Sequence, residues 1–312
     1  MRDGTGARLG ASLPLGSAGL KKVCAVISVS DLHYSYPGAA AEAVAGVSFT
    51  VERGEIFGLL GPSGAGKSTI QGVLTRRNRR FQGSVESLGR NLRDWDWRYY
   101  QRIGVGFESP NHYLKMTARE NLAFFAALHR GVGADPDALL DWVGLAADAK
   151  KRVGHFSRGM MVRLNFARAI AHDPEILFLD EPTAGLDPVN AAQLKAIVRE
   201  RHDAGKTVVL TTHNMHDVDE LCDRVAFIVA GRLVTIDRPA DLKLKHGRRA
   251  VRVEYTAGGA DLEQEFPLDG LAGSAAFQNI LRDHHVRAMH SQEASLDEVF
   301  AKVTGVTLDA PS

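Results

Sequence analysis

Cysteine is nearly absent from this chain: Cys24 and Cys222 are the only two in 312 residues. Two thiols make no disulfide framework, which points to a reducing compartment. Long apolar runs are missing as well. None approaches the roughly 18 to 20 residues that a spanning helix needs, so work at a membrane would depend on a partner. Charge of one sign is lacking too, with 38 Lys and Arg against 37 Asp and Glu, a formal net charge of +1. That balance gives no support to nucleic-acid binding through bulk charge. A 45% hydrophobic content excludes global disorder, and the length suits one large domain plus a small one.

The first 26 residues read as a disordered tail. They are rich in Gly, Ser, Ala and Leu, and Arg2 and Arg8 precede an apolar run too short for a signal-peptide core. Strands are expected at Ile27 to Leu32, Val44 to Val51, Ile56 to Leu60, Ile176 to Leu179, Thr207 to Leu210 and Val225 to Val229, because these are short apolar or alternating runs. Residues from about 103 to 172 read as mainly helical. Within them Thr117 and Glu120 form a capping box, and Asp135-Pro136 starts a further helix. Strands alternating with helices in this way give an α/β, doubly wound, mainly parallel sheet. From 241 to 312 a smaller α/β extension is expected, with a half-exposed strand at Ala250 to Tyr255 and a capped helix from Ser295 to Val303. Arg76, Arg77, Arg79 and Arg80 read first as a solvated helix end whose cations suit the dipole, with phosphate or lipid contact as the alternative.

The chemistry begins at Gly61-Pro62-Ser63-Gly64-Ala65-Gly66-Lys67-Ser68-Thr69, which fits G-x-x-x-x-G-K-[ST] between a strand and a helix. Glycines let the backbone wrap an anion so that its N–H groups face phosphate oxygens, and the helix adds its positive end. Lys67 suits the β- and γ-phosphates, and the Ser68 hydroxyl suits Mg²⁺. The tripeptide Gly205-Lys206-Thr207 is a decoy: position 200 is Glu, and Gly205 reads as a helix cap. Asp180 ends an apolar strand, where its carboxylate can hold Mg²⁺, and Glu181 follows it, suited to polarise water. The chain between Lys67 and Asp180 is long, yet both must meet one Mg²⁺, so a sizeable unit is inserted between them.

From Ile27 to Arg238 the order of motifs resembles the nucleotide-binding subunit of an ABC transporter. Tyr36 precedes the Walker A loop at 61 to 69. A Q-loop region lies near 108, a signature at 156 to 160 and the Walker B strand at 176 to 181. Ala184-Gly185-Leu186-Asp187 matches the D-loop, and Thr211-Thr212-His213 the switch histidine. The resemblance implies a P-loop NTPase fold at 27–240, with an antiparallel β subdomain and the helical insert. It implies a homodimer or heterodimer, head to tail, with two ATP molecules between Walker A of one subunit and the signature of the other. Tyr36 would stack on adenine, His213 would contact the γ-phosphate, and Ser157 and Gly159 would meet it from across the interface.

Two departures stand out. Phe156-Ser157-Arg158-Gly159-Met160 replaces the usual L-S-G-G-Q, a variation similar to that of ABC-2-type exporter subunits. Glu108 stands where the Q-loop glutamine is usual, and it can still ligate Mg²⁺ through oxygen. Glu108 to Tyr113 and Ser295 to Phe300 also look like drug-exporter subunits. The expected function is therefore ATP hydrolysis driving a separate ABC-2-type permease for efflux of a drug or other small molecule. The chain would sit at the cytoplasmic face of the membrane and bind no nucleic acid. A soluble ABC ATPase acting on nucleic acid or ribosomes would carry a coiled-coil insertion or two cassettes. A small-molecule kinase or GTPase would lack the signature and D-loop.

Overall fold

A computed structural model describes residues 25–129, 134–247, 250–292 and 294–307. Most of the expected tail lies outside the described residues, but Ala25 and Val26 already belong to the first strand. β1 (Ala25–Tyr34) and β2 (Val44–Glu52) pair antiparallel. In β2 the buried Val47, Phe49 and Val51 alternate with exposed Ser48 and Thr50, the period of a sheet with one covered face. β3 (Ile56–Leu60) runs into α1 (Lys67–Leu74). β4 (Gln82–Ser87) and β5 (Arg90–Asn91) complete an antiparallel sheet of order β2-β1-β4-β5.

β6 (Ile103–Gly106) precedes the helices α2 (Ala118–Ala127), α3 (Pro136–Trp142) and α4 (Arg158–Ile170). The stretch read as helical from about 103 thus opens with a strand. Ile103 to Gly106 pair parallel with Ile176 to Leu179, and a Cβ on Gly104 would lie 2.1 Å from the Ala169 carbonyl oxygen of the covering helix. Then follow β7 (Ile176–Asp180), α5 (Pro188–Asp203), β8 (Thr207–Thr212), α6 (Met215–Leu221), β9 (Arg224–Val229) and β10 (Arg232–Asp237). The central sheet has the order β10-β9-β3-β8-β7-β6, parallel except for β10. Its strands are apolar throughout because both faces are covered. Leu177, Leu179, Val208 and Leu210 point into the core shared with the helices. Ile176, Phe178 and Val209 point into the core shared with the antiparallel sheet and α1.

The helix caps follow from the sequence. Thr117 Oγ1 accepts from the Glu120 amide at 3.2 Å, and Glu120 returns the bond to the Thr117 amide at 2.8 Å. Gly205 ends α5 with its N–H on His202 O at 2.7 Å and that of Lys206 on Arg201 O at 3.1 Å.

α7 (Pro239–His246) leads to a separate sheet of order β12-β11-β13: β11 (Ala250–Ala257), β12 (Ala260–Pro267) and, after α8 (Ala275–Asp283), β13 (His285–Gln292). Val253, Phe266 and Ile280 form its own small core. α9 (Leu296–Thr304) returns to the large domain. Phe300 is fully buried with its ring 4.9 Å from Phe227 of β9, so this helix does not belong to the extension with which the sequence grouped it. No helix among the described residues is long and apolar enough to cross a membrane.

Candidate functional site: a phosphate loop beside an acidic strand end

The loop between β3 and α1 is clamped from below. A Cβ on Gly61 would stand 2.1 Å from the Ile228 carbonyl oxygen, so only glycine fits there. Gly66 has φ +104°, and a Cβ on it would meet Ala43 O at 2.5 Å. The turn between β9 and β10 fixes the outer side: Gly231 N–H donates to Ala65 O at 2.9 Å, while Gly231 O accepts from the Ala45 amide at 2.8 Å. The amides of Gly66, Lys67 and Ser68 find no acceptor among the described residues, as expected of a helix start awaiting an anion.

Lys67 is buried and donates to Gly61 O at 2.6 Å and Pro62 O at 3.0 Å. Burial lowers its pKa, and the charges of Glu181, Asp180 and Glu108 oppose that shift. All three sequence-predicted carboxylates therefore lie near enough to Lys67 to favour its charged form. The Ser68 hydroxyl donates to Asp180 Oδ1 at 3.1 Å, and Thr211 Oγ1 bonds the same oxygen. Ser68 and Asp180 offer the hard oxygen donors that Mg²⁺ takes, together with phosphate oxygens. Among the described residues no group of three His, Cys, Asp or Glu is placed to hold a metal. Glu108 is exposed at the mouth of a small cavity that Asp180, Glu181 and Pro182 also line.

Glu181 sits just past β7 with φ +47°. Its Oε1 lies 2.9 Å from His213 Nδ1, and its Oε2 accepts from Thr212 Oγ1 at 3.2 Å. Tyr36 is 46% exposed, and its hydroxyl shares a 3.0 Å hydrogen bond with that of Thr69 on α1. Tyr34 packs edge-on against it at 5.1 Å.

The signature residues stand elsewhere. Ser157 caps α4, accepting from the Met160 amide at 3.3 Å, and no hydrogen bond among the described residues joins it or Gly159 to the phosphate loop. They lie beside the D-loop of the same chain. A Cβ on Gly185 would lie 2.9 Å from Arg158 Nε, and one on Gly159 would lie 3.4 Å from Leu186. Asp187 caps α5 through the amides of Val189 and Asn190, both at 3.1 Å. These bonds, with that to the Asn190 side chain first among them, hold its carboxyl below the usual range.

Residues that sequence reasoning missed form a layer behind the site. Thr183 bonds Asp217, Lys195 Nζ lies 3.5 Å from Asp217 Oδ1, and Glu220 joins Lys195 to Arg199. Thr211 and Thr212, read in the sequence only as the approach to His213, bond Asp180 and Glu181.

A phosphate loop with a buried lysine, an acidic strand end and a histidine bonded to its glutamate, on a doubly covered parallel sheet, define a P-loop ATPase. The family model described as ABC transporter matches residues 44–184, and one described as fluoroquinolone efflux ABC transporter C-terminal domain matches 249–293. A fluoroquinolones export ATP-binding protein of Mycobacterium tuberculosis is 56% identical over 281 residues, 90% of this chain and 93% of that protein. The linearmycin resistance ATP-binding protein of Bacillus subtilis is 30% identical over 294 residues, 85% and 94% of the two chains. A solved ATP-binding subunit of an ABC transporter has a TM-score of 0.65 and 27% identity over 71% of this chain and 93% of that one. The chain belongs to the ATP-binding subunits of ABC transporters and is an ATPase of that family.

Proposed function

We propose that this chain is the ATP-hydrolysing subunit of an exporter, driving a separate ABC-2-type permease that expels a drug of the fluoroquinolone kind. The observation that carries the export reading is a double likeness: both the ATPase core and the C-terminal unit are similar to proteins named for fluoroquinolone efflux.

In this reading the chain's own groups divide the work. The amides of Gly66, Lys67 and Ser68 and the Lys67 ammonium bind phosphate oxygens. Ser68, Asp180 and Glu108 hold Mg²⁺. Bound there, the cation would supply charge neutralisation at the phosphate oxygens. Glu181 takes a proton from water, and His213, 2.9 Å away, orients it. Tyr36 stacks on the adenine. Ser157 and Gly159 reach the nucleotide of a second copy, head to tail, and Asp187 lies at that interface. Coupling arises because ATP favours the closed pair, so binding and permease motion are linked. The chain works at the cytoplasmic face of the membrane, held there by the permease.

The test is reconstitution. The chain is co-purified with a permease of about six spanning helices, placed in vesicles and given Mg-ATP and a fluorescent fluoroquinolone. Drug-stimulated hydrolysis and drug movement that vanish together in Glu181→Gln are expected. A complex that hydrolyses ATP with neither stimulation nor movement would overturn the export reading.

A further inference from the structure

The arginines after α1 gain a context in the fold. Between positions 76 and 98 the chain carries seven arginines (76, 77, 79, 80, 90, 93 and 98) against three acids, Glu86, Asp94 and Asp96, while the whole chain is nearly neutral. The fold gathers them on one surface of the antiparallel subdomain. Arg76 donates to Asp96 O at 3.2 Å and Arg79 to Arg76 O at 3.4 Å. Arg93 reaches Gly83 O at 3.1 Å and Phe81 O at 2.7 Å.

Many arginines elsewhere in the chain are paired with acids. Arg53, Arg102, Arg119, Arg199 and Arg201 each have a carboxylate partner. In this patch only Arg98 has one, Asp96 at 3.7 Å. Arg77, Arg79, Arg80, Arg90 and Arg93 are exposed and find no carboxylate within ion-pair distance among the described residues. Their charge is therefore neutralised by no neighbouring acid among the described residues, although Arg77, Arg79 and Arg93 also donate to backbone carbonyls. Two indoles lie near the guanidinium groups: Arg90 stands 5.3 Å over the half-buried Trp95, whose Nε1 donates to Ser87 O at 3.0 Å, and Arg98 5.9 Å over Trp97, which is 47% exposed.

We propose that this arginine and tryptophan face rests on the anionic headgroups of a lipid bilayer. Unpaired arginines are drawn to such a surface within a Debye length, and indoles prefer the headgroup level, with their rings toward the acyl boundary. The two together give an electrostatic and an interfacial contribution to attachment. Nucleic acid is the less suited occupant, because the rest of the chain is net acidic and would repel a long polyanion. An ATPase that serves a permease already lies beside a bilayer, and in that respect the inference rests on the export reading. The assay below involves neither permease nor transport, so the two readings fail separately.

The full chain is sedimented with vesicles of phosphatidylcholine alone, or with about a third phosphatidylglycerol. Three proteins are compared: wild type, Arg79→Ala/Arg80→Ala/Arg90→Ala, and a control of equal charge loss, Arg232→Ala/Arg238→Ala/Arg282→Ala. Mg-ATP hydrolysis without lipid checks that each folds. Wild type should bind the anionic vesicles selectively, and more weakly but still measurably as salt rises. Each arginine is worth roughly a five-fold factor in partition, so the patch variant should bind about 100-fold more weakly. The control should bind as wild type, and Trp97→Ala should weaken binding at high salt, where the arginines are screened. Equal binding to both vesicle types, equal loss in both triple variants, or binding to a duplex oligonucleotide but not to anionic vesicles would each overturn the proposal.

Discussion

Glu181 Oε1 lies 2.9 Å from His213 Nδ1, on a backbone held in the left-handed region at φ +47°. That conformation costs a non-glycine residue on the order of 1 kcal/mol or more. It persists because the Glu181 amide bonds Thr211 O at 3.0 Å while Thr212 and His213 hold the carboxylate. The turn thus aims one oxygen at the histidine. Replacing Glu181 by Gln keeps the shape but removes the proposed base. Hydrolysis measured under single-turnover conditions should fall by about 10² to 10⁴, the usual worth of a general base. ATP binding should persist, and ATP-loaded dimers should accumulate on size exclusion. An unchanged rate would show that Glu181 is not the base.

Glu108 stands at the cavity mouth beside Asp180 and Glu181, and its charge is felt at Lys67. A glutamine there keeps an oxygen donor but gives up the charge that strengthens cation binding. Glu108→Gln should keep hydrolysis at saturating Mg²⁺ and require more Mg²⁺ for half-maximal rate. Superimposable Mg²⁺ titrations of the two proteins would remove Glu108 from the cation site.

The residues that carry local chemistry were legible. Gly61 to Thr69 fits a motif between an apolar strand and a helix, and Thr117 with Glu120 announces its own cap. What sequence could not show depends on partners far along the chain. Ile103-Gly104-Val105-Gly106 is too short and too rich in glycine to declare itself a strand; it becomes one by pairing with β7 beneath α4. β12 carries only Leu262 and Phe266 as large apolar residues, because it is an exposed edge. α9 looked like part of the extension until Phe300 met Phe227 across the large core. Asp217 gave no signal, since Thr183 and Lys195 reach it only after α5 and α6 have packed.

That last cluster predicts a stability effect. Lys195 and Asp217 are both almost fully buried, with Nζ 3.5 Å from the carboxylate. Removing the cation alone strands a buried acid, which typically costs about 3 to 5 kcal/mol. Lys195→Met should shift the denaturant midpoint accordingly, and adding Asp217→Asn should recover a large part of the loss. Additive losses in the double variant would mean that the two side chains are not coupled.

His129 and His172 stack face to face, with centroids 3.7 Å apart and planes 7° from parallel, between the helical insert and β6. His172 Nε2 lies 2.8 Å from Ile103 O, the geometry of a neutral ring donating to a carbonyl. Burial, and next the neighbouring His172, push the His129 pKa down to about 4; burial also lowers that of His172. An unfolded histidine titrates near 6.5. Between about 6.5 and 4 the unfolded chain therefore binds more protons than the folded one, and stability must fall as pH falls through that window. Above it the two states bind the same number, and this pair adds no slope. Melting temperature followed from pH 7.5 down to pH 5 should decline in wild type and decline less in His129→Phe, which keeps a flat ring against His172 without a titrating nitrogen. Parallel curves for the two proteins would show that the stacked pair does not govern the acid sensitivity of the fold.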